Sequence, residues 1–263
     1  MKQTSLAPQR ERNTRRSRLT VSLAQCEWDI LQAQKLRYRI FAGELGANLP
    51  TRTPGVDKDI FDPYCEHLVV RDEGSDAVVG TCRILSPMRA VRVGSFYSEN
   101  GFDLTRLQHL RSRMIEVGRL CVHPAYRTGR TIDLLFRGIG LYMDQNHYEY
   151  LLACPGVSMT DGGHAAASAY ARLGEYLSPL EYRVFPRCPL PLASLDRHTP
   201  VHLPPLVKGC LRIGAYVCGE PAWDPDFNNG DFPILLPVAA LHGRYARRLG
   251  HPSVRSEVAA TPL

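Results

Sequence analysis

MIEVGRLCVHPAYRTGRTIDLLFRGIGLYMDQNHYEYLLACP, residues 114–155, runs through a strand, a turn, a helix and a second strand in succession. Met114–Val122 is rich in β-branched and apolar residues, and His123–Gly129 has turn composition. Over Arg130–His147 the residues Ile132, Leu135, Phe136 and Ile139 recur at i, i+3, i+4 and i+7, the spacing of one buried helix face. Tyr150–Cys154 is a second apolar run closed by Pro155-Gly156. A strand–helix–strand unit of this length places its two strands side by side and parallel.

Outward from this unit, His67–Val70 and Ala77–Leu85 flank Glu73-Gly74-Ser75-Asp76, the pattern of an antiparallel hairpin. Leu19–Ala24 predicts a short edge strand, and Trp28–Leu45 a helix stopped by Gly46. The stretch 46–63 is expected to be a loop, and 86–113 irregular apart from a short helix around Leu104–Leu110. Further on, Ala165–Leu173 predicts a helix and Glu181–Phe185 a short strand. Six prolines within 186–205 exclude regular structure there. Leu206–Ile213 then predicts a helix, Ala215–Cys218 and Phe232–Val238 strands, and Leu241–Leu249 an amphipathic last helix. The expected whole is a single α/β domain over 19–250, a mixed sheet between tails at 1–18 and 251–263.

The chain has 263 residues, 44% of them hydrophobic, enough for a sizeable core. Thirty-two Lys and Arg oppose 26 Asp and Glu. Most of that surplus lies in the first 20 residues, where Lys2, Arg10, Arg12, Arg15, Arg16 and Arg18 face Glu11 alone. The remainder is nearly neutral, which argues against a nucleic-acid-binding domain. No run approaches the roughly 18 apolar residues of a membrane span. The eight cysteines show neither C-x-x-C nor zinc-like spacing, so a reducing cytoplasm without structural metal or disulfides is expected.

The turn His123–Gly129 opens a helix, and free backbone N–H groups at such an end attract phosphate or pyrophosphate. Asp57, Asp59 and Asp62 form an acidic cluster that either holds an ammonium group or pairs with Arg37 and Arg83; either arginine can alternatively grip a carboxylate with two parallel bonds. Their spacing lacks the glycine and closing glutamate of a calcium loop. Trp223-Asp224-Pro225-Asp226-Phe227 is either a cap on a site or a packed loop. Cys121 and Cys154 lie in apolar strands and are expected in the core.

Val122-His123-Pro124-Ala125-Tyr126-Arg127 resembles the signature turn of the GCN5-related N-acyltransferases. Thr128, Arg130 and Ile132 stand where the acetyl-CoA users of that superfamily carry glycines. Arg37-x-x-x-Phe41, Asp57-x-Asp59-x-x-Asp62, Gly80-x-x-Arg83 and Glu116-x-x-Arg119 resemble, in order and spacing, the acyl-homoserine-lactone synthases, which also lack those glycines. The wording of Leu36–Phe41, Tyr64–Leu68, Glu116–Pro124 and Gly219–Asp224 is similar to the ornithine N(alpha)-acyltransferases of ornithine-lipid synthesis. The likeness spans about residues 20–250 and implies a GCN5-related fold: a mixed central sheet, helices on both faces, and a splayed parallel strand pair.

It further implies transfer of a 3-hydroxyacyl chain from acyl carrier protein to the α-amine of L-ornithine, with no cofactor and no metal. A stand-alone enzyme of the first step of that synthesis is expected, cytoplasmic or peripheral at the inner face of the membrane. Amide formation from a thioester needs an uncharged amine, a proton acceptor and an oxyanion donor. Glu116 and Arg119 are the candidate catalytic residues, Glu116 as the base unless it pairs with Arg119 or Arg83. Residues 116 and 119 fall on opposite faces of a regular strand, and Gly118 between them suits a β-bulge that would bring them together. Leu120, Val122, Arg127, Gly129 and Arg130 are expected on the donor side, with Arg37, Asp59, Asp62 and Arg83 on the acceptor side. The rival readings are a synthase using S-adenosylmethionine or making another N-acyl amino acid, a soluble acetyl-CoA N-acetyltransferase, and a non-catalytic module binding carrier protein or lipid.

Overall fold

The computed structural model describes residues 18–240; the expected last helix and both chain ends lie outside the described residues. A seven-stranded sheet runs in the order β1 (Leu19–Leu23), β2 (Glu66–Asp72), β3 (Ala77–Leu85), β5 (Met114–Val122), β6 (Tyr150–Ala153), β12 (Ile234–Pro237) and β9 (Tyr216–Val217). All neighbours are antiparallel except β5 and β6, the parallel pair of the strand–helix–strand unit. A second sheet joins β10 (Ala222–Asp224), β11 (Asn229–Asp231) and β7 (Gly156–Ser158), while β4 (Phe102–Asp103) pairs with β8 (Phe185–Pro186).

Helices cover both faces of the large sheet because its central strands are apolar on both. On one face α1 (Glu27–Tyr38) sets Ala33 and Leu36 against Val69, Val78 and Cys121. On the other, α3 (Arg130–Gln145) sets Leu135, Ile139 and Met143 against Leu68, Val70 and Val79. Full burial of an aliphatic side chain of this kind contributes about 1.5–3 kcal/mol, so these contacts anchor the unit. Gly138 faces Leu68 and Val21 so closely that a side chain there would have to displace the tip of Leu68 or lift α3. The remaining helices are α2 (Pro87–Val93), α4 (His164–Arg172) and α5 (Pro205–Arg212).

Three expectations change. The first helix is α-helical only to Tyr38; a π-helical turn at Arg39–Glu44 completes it before Gly46, at φ +74°. Residues 87–93, expected irregular, form α2, with Pro87 in its first turn and Gly94 at φ +106° closing it. That short helix carries a start and a stop but no apolar repeat, which is why periodicity passes it by. The strand expected at Glu181–Phe185 is a 3₁₀ turn at Leu180–Tyr182 with only β8 beyond it.

Candidate active site

The strand β5 kinks where the site begins. Opposite β3, Arg83 faces Gly118 and Thr81 faces Cys121, so Arg119 and Leu120 together oppose Cys82. This is the bulge suggested by Gly118, but it falls on the next residue: Arg119 holds φ +52°, an uncommon conformation for a residue with a side chain. The extra residue turns Arg119 onto the face that carries Arg83, beside the aspartate loop. Its Nε lies 3.3 Å from Asp57 Oδ2 and its Nη2 donates to Asp59 Oδ2 at 3.3 Å. The guanidinium stacks on Phe227 and Tyr97, at 4.4 and 4.9 Å from the ring centres.

Below the kink, β5 and β6 pair only over Met114–Glu116 and Tyr150–Leu152. Beyond Glu116 they part around a slot of about 320 Å³, with Gly118 and Leu120 on one wall and Ala153 and Pro155 on the other. A groove of about 740 Å³ adjoins it and shares Phe41, Leu45, Leu120 and Phe136 with the slot. Val122, Arg127, Gly129 and Ile132 carry this groove to the first turn of α3. A chamber of about 880 Å³ shares Phe61, Tyr97, Arg119, Cys154, Asp224 and Asp231 with the slot. The chamber wall holds four aspartates, Asp59, Asp224, Asp226 and Asp231, beside Arg52, Lys58 and Arg119.

Glu116 borders the slot but is only 5% exposed and makes neither of the arginine pairs weighed for it. Instead it accepts from the backbone N–H groups of Tyr97 at 2.6 Å and Ser98 at 2.7 Å, and from the Ser98 hydroxyl. Burial lifts its carboxyl above the ordinary range, against the pull of those donors. Ser98 Oγ also accepts from the Cys154 thiol at 3.3 Å. Burial pushes that thiol well above its usual value, so it stays protonated and a poor nucleophile.

The aspartate loop pairs with arginines. Arg37, wholly buried, donates from Nε to Asp57 at 2.8 Å and from Nη2 to both oxygens of Asp62 at 2.8 and 3.0 Å. Arg83 bridges Asp59 at 2.6 Å and Asp62 at 3.0 Å. Burial alone would raise the Asp62 carboxyl, but Arg37 and Arg83 override it and hold it well below the carboxylate range. Arg37 and Asp62, expected on the acceptor side, line none of the three cavities; the lattice seals them beneath the site. Arg83 reaches the slot and Asp59 the chamber.

On the donor side Leu120, Val122, Arg127 and Gly129 all line the groove. Arg127 is engaged by Glu44 through two bonds of 2.5 and 2.8 Å, while Arg130 stands exposed on the first turn of α3, outside the groove wall. Tyr97, Ser98 and Asp231 reach the site without any sequence pattern marking them: two lie in a 3₁₀ turn and the third on a three-residue strand.

Residues 36–137 match the acetyltransferase (GNAT) domain family. The L-ornithine N(alpha)-acyltransferase of Agrobacterium fabrum is 33% identical over 256 residues, covering 90% of this chain and 87% of that protein. The enzyme of the same name from Rhizobium meliloti is 33% identical, covering 88% and 84%. Among solved structures, the acyl-homoserine-lactone synthase LasI superposes with a TM-score of 0.53 at 14% identity, over 89% of this chain and 95% of that one. BjaI, a CoA-dependent synthase of the same class, gives 0.52 at 15%, over 90% and 92%. The structural likeness shows a shared fold, while the sequence likeness carries through the kinked strand and the parted pair, and by it the chain belongs to the L-ornithine N(alpha)-acyltransferase family of the GNAT fold.

Proposed function

We propose that this protein transfers a 3-hydroxyacyl chain from acyl carrier protein to the α-amine of L-ornithine, giving lyso-ornithine lipid. The observation that carries the reading is the three-part cavity: an apolar groove beside the α3 N-terminus, a slot between parted strands, and an acid-rich chamber. The carrier's phosphopantetheine arm enters along the groove, its phosphate toward the first turn of α3. In the slot the arm pairs with the β5 edge at Leu120–Val122, and a backbone N–H at Leu120 donates to the tetrahedral oxyanion. Glu116 holds the Tyr97–Ser98 turn against the slot, so both side chains keep their place beside the reacting atoms.

Ornithine occupies the chamber, its side-chain ammonium toward Asp59, Asp224 and Asp226 and its carboxylate toward Arg52 and Lys58. Arg119, clamped between Tyr97 and Phe227, sets the field where the two substrates meet. Attack is direct, because the thiol at the junction is held protonated. The test mixes purified protein and 3-hydroxyacyl carrier protein with either ornithine or S-adenosylmethionine. N-acylornithine should form in the first arm alone; product in the second arm and none in the first overturns the reading. Glu116→Gln replaces an acceptor of three hydrogen bonds with an amide and should lower kcat by about 10²-fold or more, whereas carrier-protein binding should persist.

A further inference from the structure

The reaction needs a group that takes the proton from the attacking nitrogen, and one at the junction of chamber and slot would reach both that nitrogen and the departing sulfur. Six residues wall both chamber and slot, and five of them are unsuited. Phe61 is apolar, and Arg119 is permanently charged. Burial raises the Tyr97 phenol to about 12 and the Cys154 thiol well above its usual value, so neither is deprotonated near neutral pH. Asp224 is committed: its Oδ1 accepts from the N–H groups of Asp226 at 2.9 Å and Phe227 at 3.1 Å, and its Oδ2 faces the Tyr97 hydroxyl at 3.5 Å.

The sixth is Asp231, on β11. Among the described residues its carboxylate accepts no hydrogen bond and forms no ion pair. Its register partners are Ala222 on one side and Gly156 on the other, the two smallest flanks a strand can offer. Paired residues share a face of a sheet, so small neighbours flank the carboxylate; the Asn229 side chain lies over Gly156, and Asp231 itself is largely buried while bordering both cavities. Glu116, by contrast, borders the slot alone and spends its oxygens on three donors.

We infer that Asp231 is the general base of the acyl transfer, an assignment that rests on the proposed reaction. The α-amine arrives uncharged, and its nitrogen bonds to the thioester carbonyl carbon. Asp231 takes the proton from that now cationic nitrogen. The C–S bond then breaks, and Asp231 returns the proton to the departing thiolate, which leaves as the carrier's thiol with the carboxylate restored. The charged and titratable groups facing Asp231 are Asp224, Arg119, Tyr97 and Cys154. Burial and then Asp224 lift its carboxyl well above the ordinary range, and Arg119 opposes them. A raised carboxyl is a stronger base once ionised, which suits proton abstraction.

Asp231→Asn tests this, with steady-state kinetics across pH and thermal melting on the same preparations. The variant should lose about 10²–10⁴-fold in kcat near neutral pH with ornithine KM within a few-fold of wild type. The deficit should narrow as pH rises and water or hydroxide takes over as proton acceptor. The folded state holds the Asp231 proton longer than the unfolded chain does, so this residue's contribution to stability falls as pH rises from the ordinary carboxylate value to the raised one. Asn removes that loss, and the melting temperature at pH 8 should rise. Asp231→Ala should regain turnover with added formate, in proportion to its concentration.

Three results would overturn the assignment: kcat of Asp231→Asn within a few-fold of wild type, a deficit independent of pH with a lowered melting temperature, or no rescue of the alanine variant. If wild-type protein itself makes no N-acylornithine, the functional reading falls first. Wild-type turnover with an undiminished variant removes this assignment alone.

Discussion

Arg37 illustrates how one side chain is read differently once its surroundings are known. Its sequence context suits equally the gripping of a substrate carboxylate and pairing with the aspartate loop. Complete burial decides for pairing, because an unpaired guanidinium there would carry a desolvation cost of several kcal/mol. Asp62→Asn leaves Arg37 and Arg83 short of one countercharge and should destabilise by about 3–5 kcal/mol in urea unfolding. The same residue sets an acid response. Its folded carboxyl lies below the unfolded value, so the stability it contributes is present above the ordinary carboxylate range. That contribution is lost as pH falls through the depressed folded value. Acid unfolding of wild type should therefore show a steeper loss below about pH 4 than Asp62→Asn, measured by circular dichroism.

Elements were legible in proportion to their periodicity. The parallel pair, the hairpin and the long helix all appear where apolar spacing put them, because each buries a continuous face. Short pieces did not: α2 has no stripe to read, and β11 has only three residues, one of them glycine. The position of α3 depends on Gly138, where an added Cβ would meet Leu68 Cδ2 at 2.7 Å and Val21 Cγ2 at 3.0 Å. Gly138→Ala gains up to about 1 kcal/mol of helix propensity but overpacks the interface by about 1–3 kcal/mol. The net effect should be destabilising, seen as a lower urea midpoint with an unchanged slope. The bulge shows the limit of local reading. Gly118 pointed to the right turn of chain, yet the left-handed conformation settled on Arg119, whose stacking on Phe227 and ion pairs to Asp57 and Asp59 hold it there.

For the molecule as a whole, the proposed function requires a large acidic donor to meet a small amino acid. The groove and the chamber share no lining residue and each adjoins the slot, so under the proposed function carrier protein need not enter the space proposed for ornithine. Arg130, exposed beside the groove and outside its wall, is placed to steer an acidic partner at long range. Arg130→Glu should raise the carrier-protein KM several-fold at low salt, with kcat and ornithine KM unchanged. The difference should shrink as ionic strength rises. An unchanged dependence of rate on carrier concentration would remove Arg130 from the docking surface. Among the described residues no helix is long and apolar enough to cross a membrane.

By itself the sequence determined the strand–helix–strand unit, the hairpin, the resemblance to an acyltransferase family and the residues of the kinked strand. All of these are local spacings, written in consecutive positions by the periods of helix and sheet. The tertiary structure alone decided which aspartates are buried with arginines and which border open space. It also decided that Glu116 accepts hydrogen bonds from Tyr97 and Ser98, and that Asp231 stands at the junction of two cavities. Burial and charge pairing are sums over neighbours distant in the chain, and no spacing within a segment encodes them.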